Sequence, residues 1–414
     1  MLAGVMSKRF SFPKEKIKIA LLEKIHPAAV QCFEEAGYHA ELLPNAANDG
    51  ELMELISDVH LIGVRSRSKI RAEHLEHARR LLAVGCFSVG TDQVSLDAAT
   101  SVGVPVFNAP HSSTRSVAEL ALGNILCLAR RVSDKSAKIH SGLWDKAVSG
   151  AIEVRNKTVG IIGYGHIGQQ VGLLAEALGL NVLFFDVIKK LPLGRARAVD
   201  GISELLKGSD FVTLHVPGGA ETAHLIGREE IAQMKRGSYL INLSRGTVVD
   251  ISALVAGLKT KHLAGAALDV FPEEPEAGTS PFATELAGCE NVILTPHIGG
   301  STEEAQHNIG REVATSLINF VDTGSTEGAV NFPSIHLPAF PNSHRILNIH
   351  KNQPGALSDV NKVISDLGAN IDAQYLSTVR DVGYLIMDIN KDVSEEVNAR
   401  VSVLPKSIKT RILY

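Results

Sequence analysis

The chain lacks a marked imbalance of charge. Over 414 residues, 41 Lys and Arg stand against 45 Asp and Glu, a net charge of −4. That balance gives no electrostatic pull toward nucleic acid. Long hydrophobic runs are missing too. None approaches the roughly 18 residues of a membrane-spanning helix, so no membrane partner is expected. The opening stretch, Met1 to Met6, has no apolar core of the right length, and its positive charges follow the apolar residues. No secretory signal is expected there. Cysteine is scarce, and the four present (Cys32, Cys86, Cys127, Cys289) show neither CxxC nor metal-ligand spacing. No metal site is expected. Three of the four lie in apolar sequence, as buried free thiols of a reducing compartment would. Together these absences point to a cytoplasmic protein. What is there is 45% hydrophobic and 21% charged, an ordinary globular composition with length for two or three domains.

The chain is organised around Thr158 to Asp186. Thr158–Ile162 reads as a short buried strand, and Gly163-Tyr164-Gly165-His166-Ile167-Gly168 follows at once. Ile167, Val171, Leu174, Ala175 and Leu178 then recur at helical spacing, and a second apolar run, Asn181 to Phe185, ends on Asp186. Strand, glycine turn, helix, strand and acid make the complete dinucleotide fingerprint. Gly163 permits the tight turn, Gly165 lets backbone approach a pyrophosphate, and Gly168 lets helix pack on strand. The helix N-terminus presents N–H groups to the phosphates. Asp186 can accept from both ribose hydroxyls and would repel a 2′-phosphate, which favours NAD over NADP.

Before this unit, strands at 17–22, 60–64, 81–84 and 104–107 alternate with helical sequence such as 27–36, an α/β pattern without a nucleotide fingerprint. A separate domain is expected there. A helix over 116–132 is read as the connection to the cofactor domain, and Trp144, the only tryptophan, follows in a polar loop. Beyond Asp186, strands end at Val216-Pro217, Ser244-Arg245, Asp269 and Thr295-Pro296-His297, and a long amphipathic helix runs over 303–321. Residues 332–341 form a proline-rich linker. The tail then reads βαββαβ: strand 345–350, helix 355–367, strands 371–379 and 383–389, helix 394–404, strand 408–413. That is a ferredoxin-like unit without catalytic groups.

In parallel sheets, ligands bind beyond the carboxyl ends of the strands. Successive strands of the cofactor domain bring Arg245, then Glu274, then His297 to that edge. An arginine fork pairs bidentately with a carboxylate. A histidine moves a proton near neutral pH, and a carboxylate beside it orients the ring and raises its pKa. With a nicotinamide, this set suits oxidation of a 2-hydroxy acid: His297 the base, Glu274 its partner, Arg245 the carboxylate clamp. Arg65, Ser66 and Arg67, at a strand end of the first domain, form a reasonable phosphate clamp.

At these residues the chain resembles the D-isomer-specific 2-hydroxyacid dehydrogenase family. The matching stretches are 159–186, 241–247 (INLSRGT), 267–275 (ALDVFPEEP) and 295–300 (TPHIGG), with 64–68 (VRSRS), 85–91 (GCFSVGT), 108–110 and 113–119 (STRSVAE). Within the family it is most similar to members that carry a C-terminal ACT domain. The resemblance implies a Rossmann-type parallel-sheet cofactor domain (113–299) inserted in a flavodoxin-like α/β substrate domain (1–112 and 300–341), followed by a βαββαβ (ferredoxin-like) ACT regulatory domain (342–414). It implies NAD-dependent oxidation of 3-phospho-D-glycerate to 3-phosphohydroxypyruvate, opening L-serine biosynthesis, with reduction of 2-oxoglutarate to 2-hydroxyglutarate as a second activity to be tested. It places His166, Ile167, His215, Val216, Pro217, Leu243, Ser244, Asp269, His297, Gly299 and Gly300 with the fingerprint residues around the cofactor. Asp269 reads equally as a strand-end structural acid. Arg65, Ser66, Arg67 and Gln306 would hold substrate phosphate, and backbone N–H groups of Val89 and Gly90 its carboxylate. The loop His111-Ser112-Ser113 has serine where the family pattern leads one to expect asparagine, which puts that one contact in question. His350, Asn352 and Asn370 match positions that bind L-serine as inhibitor between paired ACT domains, in a homotetramer. The alternatives are another D-2-hydroxy acid as substrate, or an NAD-sensing corepressor-like binding protein.

Overall fold

The computed structural model describes residues 13–275, 282–338, 344–390 and 393–413. The opening stretch, expected to carry no secretory signal, and the end of the proline-rich linker lie outside them. The chain divides into two compact units. One takes the chain up to Ser112 and again from Gln306 onward; the other is Ser113–Ala305.

The first unit opens with alternating strands and helices: β1 (Ile19–Leu21), α1 (Ala28–Glu35), β2 (Ala40–Leu42), α2 (Asp49–Asp58), β3 (Leu61–Val64), α3 (Ala72–Glu76), β4 (Ala83–Cys86), α4 (Leu96–Ser101) and β5 (Val106–Phe107). The five strands are parallel in the order β2-β1-β3-β4-β5, the flavodoxin-like order. β1, β3 and β4 are buried throughout, as strands covered on both faces must be. Pro105 lacks an N–H, so β5 starts after it rather than at Val104. The α2 N-terminus is closed by a capping box, in which Asn48 and Glu51 each accept the other's backbone N–H at 3.0 Å.

The second unit begins with α5 (Thr114–Arg130). The sequence pattern carries this helix to Val132, but Arg131 adopts φ 55° and breaks it, and α6 (Val132–His140) starts afresh. Then follow β6 (Thr158–Ile162), α7 (His166–Ala177), β7 (Asn181–Phe185), β8 (Arg197–Ala198), α8 (Ile202–Gly208), β9 (Phe211–Leu214), α9 (Arg228–Gln233), β10 (Ser238–Asn242), α10 (Ile251–Lys259), β11 (Leu263–Leu268) and β12 (Val292–Leu294). Seven parallel strands lie in the order β12-β11-β10-β9-β6-β7-β8. The order reverses between β6 and β9, the switch point at which open α/β sheets bind their ligands. Separate apolar clusters, one around Ile161 and Ile241 and one around Ile162 and Leu240, fill the two faces of this sheet.

α11 (Glu303–Thr323) leads back into the first unit. The tail is β13 (His344–Lys351), α12 (Ala356–Asp366), β14 (Ile371–Val379), β15 (Val382–Ile389), α13 (Ser394–Ser402) and β16 (Ser407–Leu413). Its four antiparallel strands run β14-β15-β13-β16. The α12 and α13 face buries Ile346, Leu385 and Met387. The other face, with Leu347, Ile349, Tyr384 and Ile386, joins the core formed by α1 and α11. Carbonyls exposed at the end of α11 are met by the tail. Arg345 donates to Thr323 O (3.0 Å) while paired with the buried Asp388 (2.7 Å), and the Tyr384 hydroxyl donates to Gly324 O (2.6 Å).

Of the four free cysteines, Cys32 and Cys86 are buried, whereas Cys127 and Cys289 are partly exposed. Among the described residues no helix is long and apolar enough to cross a membrane, and no His, Cys, Asp and Glu group forms a metal-ligand cluster.

Candidate functional site

The candidate groups fall on both units. On the second unit, the glycine turn leaves β6 at the switch point. Gly163 has φ 90°, and a Cβ there would lie 2.5 Å from His215 O, so only glycine fits. A Cβ on Gly168 would strike Gly163 O at 2.2 Å, whereas one on Gly165 would meet nothing within 4 Å. The turn is therefore closed behind and open in front. Gly165 caps α7 without any side-chain hydrogen bond, so His166, Ile167 and Gly168 begin a helix whose N-terminal dipole is available to an anion. Asp186 closes β7. Its carboxylate accepts Tyr164 N (2.8 Å) on one oxygen and Ile188 N (2.9 Å) on the other. Each oxygen keeps a lone pair for a ribose hydroxyl.

His215, at the end of β9 before Val216 and Pro217, bonds Thr213 through Nε2 at 3.0 Å. Its buried Nδ1 has no partner among the described residues. Burial pushes the ring down to about 4, so it is neutral. An open glycine cradle, an uncapped helix N-terminus and an unsatisfied buried nitrogen fit a bound dinucleotide.

The catalytic candidates follow three neighbouring strands. After β10, the fully buried Asn242 organises the turn through Leu243, Ser244 and Arg245: its Oδ1 accepts Ser244 N (3.0 Å) and Oγ (2.8 Å), and its Nδ2 donates to Arg245 O (2.9 Å). Arg245 in turn donates from Nη1 to Ser244 O at 2.8 Å. Gly246 packs against Phe271–Pro272 so tightly that a Cβ would sit 1.9 Å from the Phe271 carbonyl carbon. Beyond β11, Glu274 accepts Phe271 N at 3.1 Å and pairs with His297 Nδ1 at 2.7 Å. The Glu274 hydrogen bond lifts the His297 pKa above the ordinary imidazole value, against the burial that opposes it. Burial alone would raise the Glu274 carboxyl, but the bond to His297 and the Phe271 N–H hold it below the usual range. His297 itself has φ 53°, a strained conformation for a side chain of this size.

Asp269 holds that conformation. Only 1% exposed, it accepts Thr295 Oγ1 (2.6 Å) and Ile298 N (2.8 Å) on one oxygen and Gly299 N (2.8 Å) on the other. Its backbone carbonyl takes His297 N at 2.8 Å. Of the two roles open to Asp269, these contacts match that of a structural acid that holds the loop. Gly300 follows, packed near the side chain of Ser113, in the loop where serine stands for the expected asparagine.

On the first unit, Arg65, Ser66 and Arg67 leave the end of β3, with Ser66 and Arg67 exposed and Arg65 half-buried. Val89 and Gly90 leave β4 in a turn whose carbonyls accept from Asn108 Nδ2 and Ser88 Oγ (2.8 Å). Gln306 lies near the start of α11. Sequence reasoning missed Glu23, whose carboxylate lies under the 65–68 loop. The available signal was an acid directly after the apolar strand β1.

The tail candidates do not converge within one chain. His350 lies next to the end of β13 opposite Gly383, whereas Asn370 precedes β14 beside Asn390. Along β15 those positions are seven residues, about 23 Å, apart. His350 is 3% exposed, with Nδ1 bonded to Asn348 Oδ1 at 3.0 Å. Asn352 donates to Arg380 O at 3.0 Å at the same end.

A glycine turn at the switch point, together with an Arg, a Glu–His pair and a second α/β unit, defines a 2-hydroxyacid dehydrogenase. Residues 122–299 match the NAD binding domain of the D-isomer specific 2-hydroxyacid dehydrogenases, and residues 346–409 match an AHAS small subunit-like ACT domain. A D-lactate dehydrogenase from Aquifex aeolicus, solved with NAD and lactic acid, superposes with a TM-score of 0.67 at 31% identity, over 76% of this chain and 100% of that one. The chain belongs to the D-isomer specific 2-hydroxyacid dehydrogenase family, as an NAD-dependent oxidoreductase with an ACT domain at its C-terminal end. More particularly, it is 51% identical over 409 residues to the D-3-phosphoglycerate dehydrogenase of Dictyostelium discoideum, covering 99% of this chain and 100% of that protein. To the enzyme of that name from Escherichia coli strain K12 it is 50% identical, over 98% of this chain and 100% of that one.

Proposed function

We propose that this chain oxidises 3-phospho-D-glycerate to 3-phosphohydroxypyruvate, the step that opens L-serine synthesis. The observation that carries the reading is the 2.7 Å Glu274–His297 pair beside Arg245 in an NAD-binding unit, in a chain alike over its whole length to D-3-phosphoglycerate dehydrogenases. NAD supplies the hydride acceptor. His297 takes the C2 hydroxyl proton on Nε2 as the C2 hydrogen leaves with its electron pair and C2–O becomes a carbonyl. Glu274 stabilises the imidazolium so formed and fixes Nδ1 as the donor to itself. Arg245 binds the substrate carboxylate and draws charge toward the C2 oxygen. Arg65, Ser66 and Arg67, with Gln306, grip the phosphate. The amide N–H groups of Val89 and Gly90 hold the carboxylate. Asp186 takes the ribose hydroxyls and disfavours a 2′-phosphate.

The tail is the sensor in this reading. L-serine is held by His350 and Asn352 of one tail and Asn370 of a second, because one tail keeps these residues at opposite ends of its sheet. β14, one of the two outer strands, offers an edge for pairing. A homotetramer is supported also by the apolar side chains the second unit presents around α6, among them Trp144 at 75% exposed, Val148 and Leu143. The protein works in the cytoplasm. NADH oxidation with 3-phosphohydroxypyruvate tests the assignment, run beside 2-oxoglutarate and with L-serine added. Faster turnover of another 2-oxo acid would move the substrate assignment, and serine-insensitive turnover would remove the regulatory one.

A further inference from the structure

Glu23 stands outside every motif of the sequence and outside the chemistry described so far, yet it occupies an unusual place. It follows β1, is 4% exposed, and carries its charge under the loop that leaves the neighbouring strand β3. Four consecutive backbone N–H groups donate to it: Arg65 (3.3 Å) and Ser68 (2.9 Å) to Oε1, Ser66 (3.0 Å) and Arg67 (3.0 Å) to Oε2. Two donors on each oxygen is the full capacity of a carboxylate. Arg65 adds a bond from Nη1 to the Glu23 carbonyl at 3.4 Å. Reaching this position puts both Glu23 (φ 63°) and Lys24 (φ 52°) in the left-handed region, which side chains of this kind adopt only when the surroundings require it.

A run of backbone N–H groups turned to one point is itself an anion site. Here the chain's own carboxylate fills it. An incoming phosphate is denied the backbone and must be held by side chains, those of Arg65, Ser66 and Arg67, whose Cα positions the same carboxylate fixes.

We infer that Glu23 is the positioning residue of the phosphate clamp, and that by filling the 65–68 loop it sets the preference for a phosphorylated over an unphosphorylated 2-oxo acid. This rests on the reading of Arg65 and Arg67 as that clamp. Glu23→Gln keeps the size of the side chain but turns two acceptors into donors that face N–H groups, so the loop must rearrange.

The test compares 3-phosphohydroxypyruvate with hydroxypyruvate, its unphosphorylated counterpart, in the full-length protein, alongside NADH affinity. In Glu23→Gln, KM for 3-phosphohydroxypyruvate rises by about tenfold or more with kcat and NADH affinity nearly unchanged, and KM for hydroxypyruvate moves by less than about twofold. Glu23→Asp, which keeps the charge but reaches fewer of the N–H groups, shows a smaller rise in the same KM. It serves as the reading if Glu23→Gln does not fold. An equal loss with both substrates overturns the inference, since a merely structural residue would produce it. An unchanged KM for 3-phosphohydroxypyruvate also overturns it. Arg65→Ala separates the role of Glu23 from that of the clamp itself. If it raises that KM while the Glu23 variants do not, only the inference about Glu23 falls. If it too leaves KM unchanged, the clamp itself is wrong.

Discussion

The loops that carry the candidate chemistry on the two units are hung in the same way and strained in different places. In each, a carboxylate at the end of one parallel strand accepts N–H groups from the loop after the next strand. Glu23 after β1 takes residues 65–68 after β3, and Asp269 after β11 takes Ile298 and Gly299 after β12. Under the 65–68 loop, the left-handed residues are Glu23 and Lys24, and the arginines are unstrained. In the other loop the left-handed residue is His297 itself. The placement suits the roles proposed for the two loops. A base must meet one proton along one direction, so its backbone is locked. An anion clamp needs its arginines anchored at the root and free at the tip, because a guanidinium can meet phosphate from several angles.

Breaking each loop should therefore break a different kinetic constant. The largest effect is expected from His297→Ala, which lowers kcat by roughly 10²–10⁴-fold while NADH binding, followed by fluorescence titration, stays near normal. Full turnover in the pure variant would remove His297 from the chemistry. Asp269→Asn comes next. The amide cannot accept from Thr295, Ile298 and Gly299 together, so His297 loses its direction and kcat falls by about 10²-fold, with substrate KM little changed. If KM rises and kcat holds, the two loops do not divide the work as argued. Arg65→Ala should do the opposite, raising KM for the phosphorylated substrate by roughly 10–100-fold at nearly constant kcat. The smallest effect is a displacement along the pH axis. Because Glu274 raises the His297 pKa, the ring becomes a free base only above that raised value, and kcat/KM for oxidation climbs with pH through it. Replacing Glu274 by Gln should move that rising limb to lower pH. A limb that stays in place would mean that another group titrates.

The same comparison shows what a sequence can and cannot disclose. The glycine turn was legible because most of its requirements are local: Gly163 has φ 90° and Gly168 packs on Gly163 within one strand–turn–helix, and only the crowding of Gly163 by His215 O comes from another strand. The tail was legible to within a residue or two at most boundaries, since its apolar periodicity switches cleanly between strand and helix. Arg245, Glu274 and His297 could be placed at one sheet edge because strands of a parallel sheet end on the same side. Glu23 could not, since its meaning depends on β1 lying beside β3 and on a backbone conformation that no propensity announces. The short elements β2, α3 and α4 were passed over for a related reason: they are too short to establish a period before the sheet is there to pack on. α2 carried more signal, with Leu52, Leu55, Ile56 and Val59 at helical spacing behind an Asn48–Glu51 capping box. The end of α5 was missed because Arg131, an unremarkable helix former, is the residue that turns left-handed.

Gly383, across from His350, and Asn390, beside Asn370, stand at opposite ends of β15, so a ligand that needs all three tail residues must draw them from two chains. Its occupancy is then tied to the number of chain pairs in solution as well as to its own concentration, and by linkage the ligand tightens the pair that binds it. Serine sensitivity should fade on dilution before turnover does, and L-serine should lower the protein concentration at which the tails come apart. Sedimentation velocity across a dilution series, with and without serine, reads both effects. A half-inhibitory serine concentration that is independent of protein concentration, down to the point at which the assembly dissociates, would place the whole ligand site within one chain.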